Sequence, residues 1–464
     1  MAYLPLVEAL AASAEVRSLA EGPAPVQLVT GLAGSQKALL AAALRRTLNR
    51  PLLVVTYNAY EAERLHGDLL SLVGAESLAL FPALEVLPHE EIVQDPEPLV
   101  HRLRTYELLA DVSAAGGSGQ PATAPLVVVP VQALMRRFLP PEAFFRHTFA
   151  LTSGQRIDLG ELVRRLVLMG YERVDLVDNR GQFAVRGGIV DVFPLTSDYP
   201  YRIELWGDEV DSLRRVEAAT QRSLERVARL ALVPAREVVF PPEAVEEARS
   251  RLHEAAATEA ARLSSTGRRA AARRLRERVE THAEALAERH YFPGVEQYLP
   301  FLVPRLATLL DYLPGALVVV DEPVRAREAA VQGLTEVTET LLDRVEKGEA
   351  LPAELSLFVE WGDLQAGWGN SDHPAVYLST LGTRAPGLRP VRTVAFPART
   401  PELFHGRVER LAVEVKRWRR EGFRVLLSVN SVDRAKHLRS ALLDHGVEVG
   451  LLTGGGGGRS SRAA

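Results

Sequence analysis

The sequence predicts an α/β protein: a parallel sheet on a phosphate-loop frame, interrupted by an inserted α+β module and followed by a small C-terminal α/β unit. Three observations predict it. Continuous apolar runs such as "PLLVVTY" (residues 51–57) alternate with segments of 3.6-residue apolar period, the pattern of strands buried on both faces and joined by crossover helices. The stretch "VQLVTGLAGSQKALLAAALRR" (Val26–Arg46) reads as strand, glycine-rich turn and helix, the layout of a nucleotide-binding P-loop. Between about Ala150 and Ala235 this alternation gives way to short strands with Gly or Asp turns, and period two is clear from Tyr201 to Trp206.

Taken in order, Val26–Val29 is a strand and Gln36–Arg46 a helix. Pro51–Tyr57 is a strand, "EAERLHGDLLSLVG" a helix, and Ser77–Pro88 a strand ending in a turn. "EPLVHRLRTYELLADV" is helical, Ser113–Pro125 is a Gly/Ser/Pro loop, and "LVVVPVQALMRRF" is strand then helix. The inserted module opens with the helix and strand of "ELVRRLVLMGYERVDLV". Strands follow in "GQFAVRGGIVDVFPL", "PYRIELWGDEVDSLRRVE" and "LERVARLALVPA". Pro242–Arg289 is helical and rich in Arg, Glu and Ala. Its interleaved acids favour a solvated, salt-bridged helix, while Arg268–Arg278 leaves open a duplex-binding face. The run "ALVVVDEP" is a buried strand ending in Asp321 and Glu322. From Leu351 a further α/β unit is expected, with strands in "FRVLLSV" and "VEVGLL", and the glycine-rich tail 454–464 is expected to be disordered.

Bulk properties narrow the classes. A chain of 464 residues suggests two to four domains. Net charge of -4 exerts no global pull toward nucleic acid or membrane. With no cysteine there is no disulfide or thiolate metal site. The N-terminus has no basic, apolar leader pattern, and no apolar run approaches the roughly 20 residues that span a bilayer. No two histidines are three or four apart, so no helical ligand pair and no metal site is expected.

The loop departs from its template. G-x-x-x-x-G-K-[ST] needs a small residue before the lysine and a hydroxyl after it. Gly31, Gly34 and Lys37 are present, but the flanking positions hold Gln36 and Ala38. Gln36 carries bulk where a phosphate needs close backbone approach, and Ala38 cannot ligate Mg²⁺. Asp321 and Glu322, at a strand end, have the form of the acidic partner of such a loop. Two readings stand: a βα turn kept for packing, or a weak ATPase or DNA translocase using Lys37.

The block "GQFAVRGGIVDVFPLTSDYPYRIELWGDEVDSLRRVEAATQRS" (Gly181–Ser223) resembles the interaction module shared by UvrB and the bacterial transcription-repair coupling factor family. "VVVPVQALMRRFLPPEAF" and "ERHYFPGVEQYLPFL" (Glu288–Leu302) resemble the coupling factor family more closely. The resemblance implies a split, degenerate, helicase-like P-loop domain over 1–149 and 236–350. It implies an inserted UvrA-interaction domain over 150–235 and a small third domain over 351–453. The degraded loop, and a region Leu84–Arg104 without the tyrosine-rich hairpin of UvrB, agree with that family's N-terminal part. The longer family proteins are ATP-dependent DNA translocases of nucleotide excision repair, with ATP and Mg²⁺ in a motor and RNA polymerase and double-stranded DNA as partners. Neither a second P-loop nor a Q-x-x-G-R-x-x-R motif occurs here, so a fragment with no catalytic residue and no cofactor is expected, cytoplasmic and without membrane contact. The resemblance places the UvrA contact on Arg186, Arg202 and Trp206. The plainer alternative is that Arg186 props the hairpin beside Gly187 and Gly188, and that Trp206 is a half-buried strand aromatic. Asp191 has no evident partner in the sequence, and Trp361 and Trp368 read as packing residues of the third domain.

Overall fold

A computed structural model describes residues 4–21, 25–84, 96–115, 124–239, 242–288, 291–382, 388–398, 402–429 and 431–451. In chain order the strands are β1 (Val26–Thr30), β2 (Leu52–Thr56), β3 (Leu78–Leu80), β4 (Leu126–Pro130) and β5 (Phe149–Thr152). Next come β6 (Glu172–Arg173), β7 (Gln182–Arg186), β8 (Ile189–Val192), β9 (Tyr201–Trp206) and β10 (Glu209–Val216). The last are β11 (Ser223–Arg226), β12 (Arg229–Leu232), β13 (Leu317–Asp321), β14 (Ala375–Ser379) and β15 (Arg392–Ala395).

The first sheet has seven strands in the order β15-β1-β14-β13-β2-β4-β3, every pair parallel. Side chains alternate across it. Leu53, Val55, Val127, Val129, Val318 and Val320 join one core, while Leu52, Val54, Leu126, Val128, Leu317 and Val319 join the other. Helices cover both faces, which is why these strands are apolar at every position. The mixed α/β architecture is thus the expected one.

The sheet also extends past the boundary expected near Leu351. β14 lies between β1 and β13, and β15 forms an edge beside β1. Residues through about 395 therefore complete the first unit rather than begin the third. Trp361 and Trp368 belong to the core under this sheet; their rings meet edge to face at 5.9 Å, and Trp368 Nε1 donates to Tyr377 Oη at 3.0 Å. Strand order in a parallel sheet is decided by crossovers, so a strand late in the chain can insert between early ones.

The second sheet runs β11-β10-β9-β8-β7-β6, antiparallel except where β6 meets β7. β5 and β12 pair antiparallel, so the chain enters and leaves the module side by side, the geometry an insertion requires. The helix Leu159–Leu168 starts on Asp158, whose carboxylate accepts the Glu161 N–H at 2.9 Å. Its Leu162 and Leu166 pack with Phe183, Val190, Ile203 and Leu213. Arg102, fully buried, fastens the module's exit to the first unit: its Nε donates to Glu237 at 2.9 Å, and Tyr106 Oη donates to the same carboxylate at 3.0 Å.

Helices Pro242–Ser265 and Arg269–Ala287 pack as a hairpin through Leu252, Ala256, Leu263, Ala272, Leu275 and Val279. The arginines of 268–278 are largely engaged. Arg268 pairs with Glu346, Arg273 with Glu277, and Arg274 donates to the Lys347 carbonyl. This favours the salt-bridged reading over a duplex-binding face.

In the last unit, Val408–Arg420 and Val432–Asp444 are helical as expected, with Ala412, Val415, Leu442 and Val447 forming a small core. The two expected strands are absent: neither 423–429 nor 447–451 pairs with a described residue. A strand needs a neighbouring ladder to satisfy its backbone, and no such ladder lies beside these runs. The expected loop 113–125 and the region 84–104 fall partly outside the described residues, as does the tail 454–464. Among the described residues, no helix is long and apolar enough to cross a membrane, and no cluster of His, Asp and Glu has metal-binding geometry.

Candidate functional site

Two places hold the residues singled out above. The first is the loop after β1. Gly31 has φ +88°, and a Cβ there would press on the Phe396 carbonyl oxygen, so glycine is demanded by packing against the β15 segment. Gly34, at φ +56°, faces open space. Gln36 folds back, and its side-chain oxygen accepts the Ala33 N–H at 3.0 Å. The Gln36 and Lys37 N–H groups donate to the Ala33 and Gly34 carbonyls, each at 3.2 Å. Phosphate binding at such a loop relies on free backbone donors, and these three are spent within the turn. Ala38 is fully buried against the core.

Lys37 is turned inward and only 6% exposed. Its Nζ lies 2.5 Å from Asp321 Oδ1 and 2.8 Å from Glu322 Oε1. The Thr380 hydroxyl and N–H lie on the same Glu322 oxygen, at 2.5 and 3.0 Å. Glu322 holds a left-handed conformation, φ +46°, uncommon for a residue with a side chain. Burial works against the Lys37 charge, but attraction and hydrogen bonds from Asp321 and Glu322 outweigh it and raise its pKa. Burial raises the Asp321 pKa, with Lys37 opposing. For Glu322 burial is outweighed by the bonds from Lys37 and Thr380, and its pKa falls. Of the five residues expected at a degenerate loop, Lys37, Asp321 and Glu322 close into an ionic knot, while Gly31 and Gly34 shape the turn before it. Thr380 and the Phe396 contact were missed; both come from chain more than three hundred residues downstream, and nothing in their local sequence marks them.

The second place is the outer face of the inserted sheet. Ile203 and Val190 point to the module's core, so by alternation Arg202, Glu204 and Trp206 point away from it. Trp206 is 85% exposed, which removes the half-buried alternative. The Leu205 N–H donates to the Gly188 carbonyl at 2.8 Å, so the β7–β8 turn lies beside the end of β9 that carries Trp206. A Cβ on Gly188 would stand 2.8 Å from the Leu205 carbonyl oxygen, hence a glycine at this crossing. Arg186 is exposed at the same corner and donates to the Asp175 carbonyl at 3.1 Å.

Arg202 is held differently. It lies opposite Asp191 and grips both its carboxylate oxygens, at 2.7 and 2.9 Å. These hydrogen bonds, against partial burial, raise its pKa further. Asp191 is only 4% exposed. The partner that the sequence did not reveal for Asp191 is therefore Arg202, and the signal is their register across β8 and β9. The face thus presents an exposed arginine, a clamped arginine and a bare indole, a combination suited to protein contact.

A family model described as the UvrB interaction domain matches residues 149–238. The chain is 30% identical to the transcription-repair-coupling factor of Bacillus subtilis (strain 168) over 426 residues, covering 92% of this chain and 35% of that protein. It is 27% identical to the transcription-repair-coupling factor of Staphylococcus aureus (strain USA300) over 418 residues, covering 89% of this chain and 34% of that protein. The chain thus spans about a third of the length of the curated relatives it matches.

Proposed function

We propose that this chain, which corresponds to the N-terminal part of a transcription-repair coupling factor, is a recruitment scaffold whose inserted module binds UvrA in transcription-coupled nucleotide excision repair. The observation that carries this reading is Trp206, bare at the edge of a UvrB interaction domain, with Arg186 at the same corner. An exposed indole beside arginine gains by burial in a partner, and Trp and Arg are enriched among residues that dominate interfaces.

Calorimetric titration of UvrA into the chain tests it. Trp206→Ala is expected to weaken binding about thirtyfold, the equivalent of about 2 kcal/mol for a hot-spot residue. The thermal midpoint should stay unchanged, because the indole supports no core. Absence of affinity for the unsubstituted chain overturns the reading.

No nucleotide hydrolysis is assigned to this part. The closed contacts of Lys37 and the internally satisfied loop N–H groups support that assignment. Micromolar binding of ATP with Mg²⁺, abolished by Lys37→Ala, would restore the translocase alternative. RNA polymerase and double-stranded DNA are proposed partners of the longer family proteins, acting in the cytoplasm.

A further inference from the structure

Residues directly opposite one another in an antiparallel ladder share a face. Asp191 on β8 is opposite Arg202 on β9, Arg202 is opposite Arg214 on β10, and Arg214 is opposite Arg226 on β11. One row across four strands therefore reads Asp, Arg, Arg, Arg. Like charges set directly opposite weaken a sheet, so a module shaped for stability alone gains nothing from this order.

The row is only partly neutralised. Asp191 holds Arg202, and Glu204 Oε2 stands 3.6 Å from Arg214 Nε. Arg226 is exposed and makes no ion pair with a described residue. The core does not call for it either, since the neighbouring Val227 is the residue that packs inward. At the other end of the face Glu209 lies opposite Trp206. The Trp206 end, with Glu209 and Arg186, is therefore mixed in charge, whereas the row through Arg202, Arg214 and Arg226 is basic beyond Asp191.

We propose that Arg214 and Arg226 extend the docking face beyond Arg186, Arg202 and Trp206, as a basic row that meets an acidic strip on UvrA and sets the direction in which UvrA lies. This rests on the reading of the module as the UvrA-binding site. Complementary charge of this kind acts mainly on association rate and on orientation, and it is weakened by salt.

Arg226→Glu is the informative variant, because it separates binding from folding. It places a carboxylate opposite Arg214, so the thermal midpoint is expected to hold or rise. The association rate with UvrA, followed by surface-immobilised kinetics at several salt concentrations, is expected to fall about fivefold at low salt, with a shallower salt dependence. Trp206→Ala should instead raise the dissociation rate and leave the salt dependence unchanged. Unaltered association and salt dependence in Arg226→Glu, with normal binding by the unsubstituted chain, overturns the basic row and leaves the Trp206 contact standing. Loss of duplex DNA binding in Arg226→Glu, with UvrA binding intact, also overturns it, in favour of a nucleic-acid contact. No UvrA binding by the unsubstituted chain removes both proposals together.

Discussion

Replacing Lys37 by methionine keeps the length of the side chain and removes its charge. Asp321, buried, and Glu322 then face each other without the cation that now lies 2.5 and 2.8 Å away. Removing one partner of a buried ion pair costs about 3–5 kcal/mol. The protein has one escape, which is to protonate Asp321. For a carboxyl with an ordinary pKa near 3.9, that costs about 4 kcal/mol at pH 7 and about 1.5 kcal/mol near pH 5. The two routes agree at neutral pH and diverge in acid. The sign follows from linkage: a carboxyl whose folded pKa is raised loses stability as pH climbs from its unfolded value toward its folded one. Lys37→Met should therefore unfold at lower urea concentration than the parent at pH 7, by about 4 kcal/mol, and the gap should shrink to about 1.5 kcal/mol near pH 5. Urea titrations followed by circular dichroism at both pH values measure it. A gap below about 1 kcal/mol at pH 7, or one that does not narrow in acid, refutes the view that the lysine now serves as an internal counter-ion.

Two further outcomes follow from the structure. Gly31→Ala should cost about 2–5 kcal/mol, because it combines left-handed strain with a clash against the Phe396 backbone; Gly34→Ala, facing open space, should cost only about 1–2 kcal/mol, and thermal unfolding of the pair compares them. Glu354 is pushed up to about 7 by burial while its carboxylate accepts the Leu351 N–H at 2.8 Å. Its raised pKa removes stability as pH rises from the unfolded value through about 7, so Glu354→Gln, which keeps the acceptor, should stabilise the chain by about 2–3 kcal/mol near pH 8 and hardly at all near pH 4; equal effects at both would refute it.

Much of the architecture was legible locally. The runs around Leu52, Leu126 and Leu317 are apolar at every position because helices cover both faces of their sheet. The glycine-rich turn before Gln36 and the alternation over Tyr201–Trp206 were equally plain. The third unit misled, because apolar runs at 423–429 and 447–451 have the composition of strands, whereas a strand exists only where a neighbour accepts its hydrogen bonds.

The amino-acid order alone determined that the loop after β1 departs from the phosphate-loop template at Gln36 and Ala38, that an α+β module interrupts a parallel sheet, and that Trp206 shares a face with Arg202. These are matters of residue type and of period, which are local. Tertiary structure alone decided that Lys37 is spent on Asp321 and Glu322, 284 and 285 positions away, that β14 lies between β1 and β13, and that Asp191 clamps Arg202. Pairing across strands depends on register and strand order, and these are set by the packing of the whole sheet rather than by any one stretch of chain.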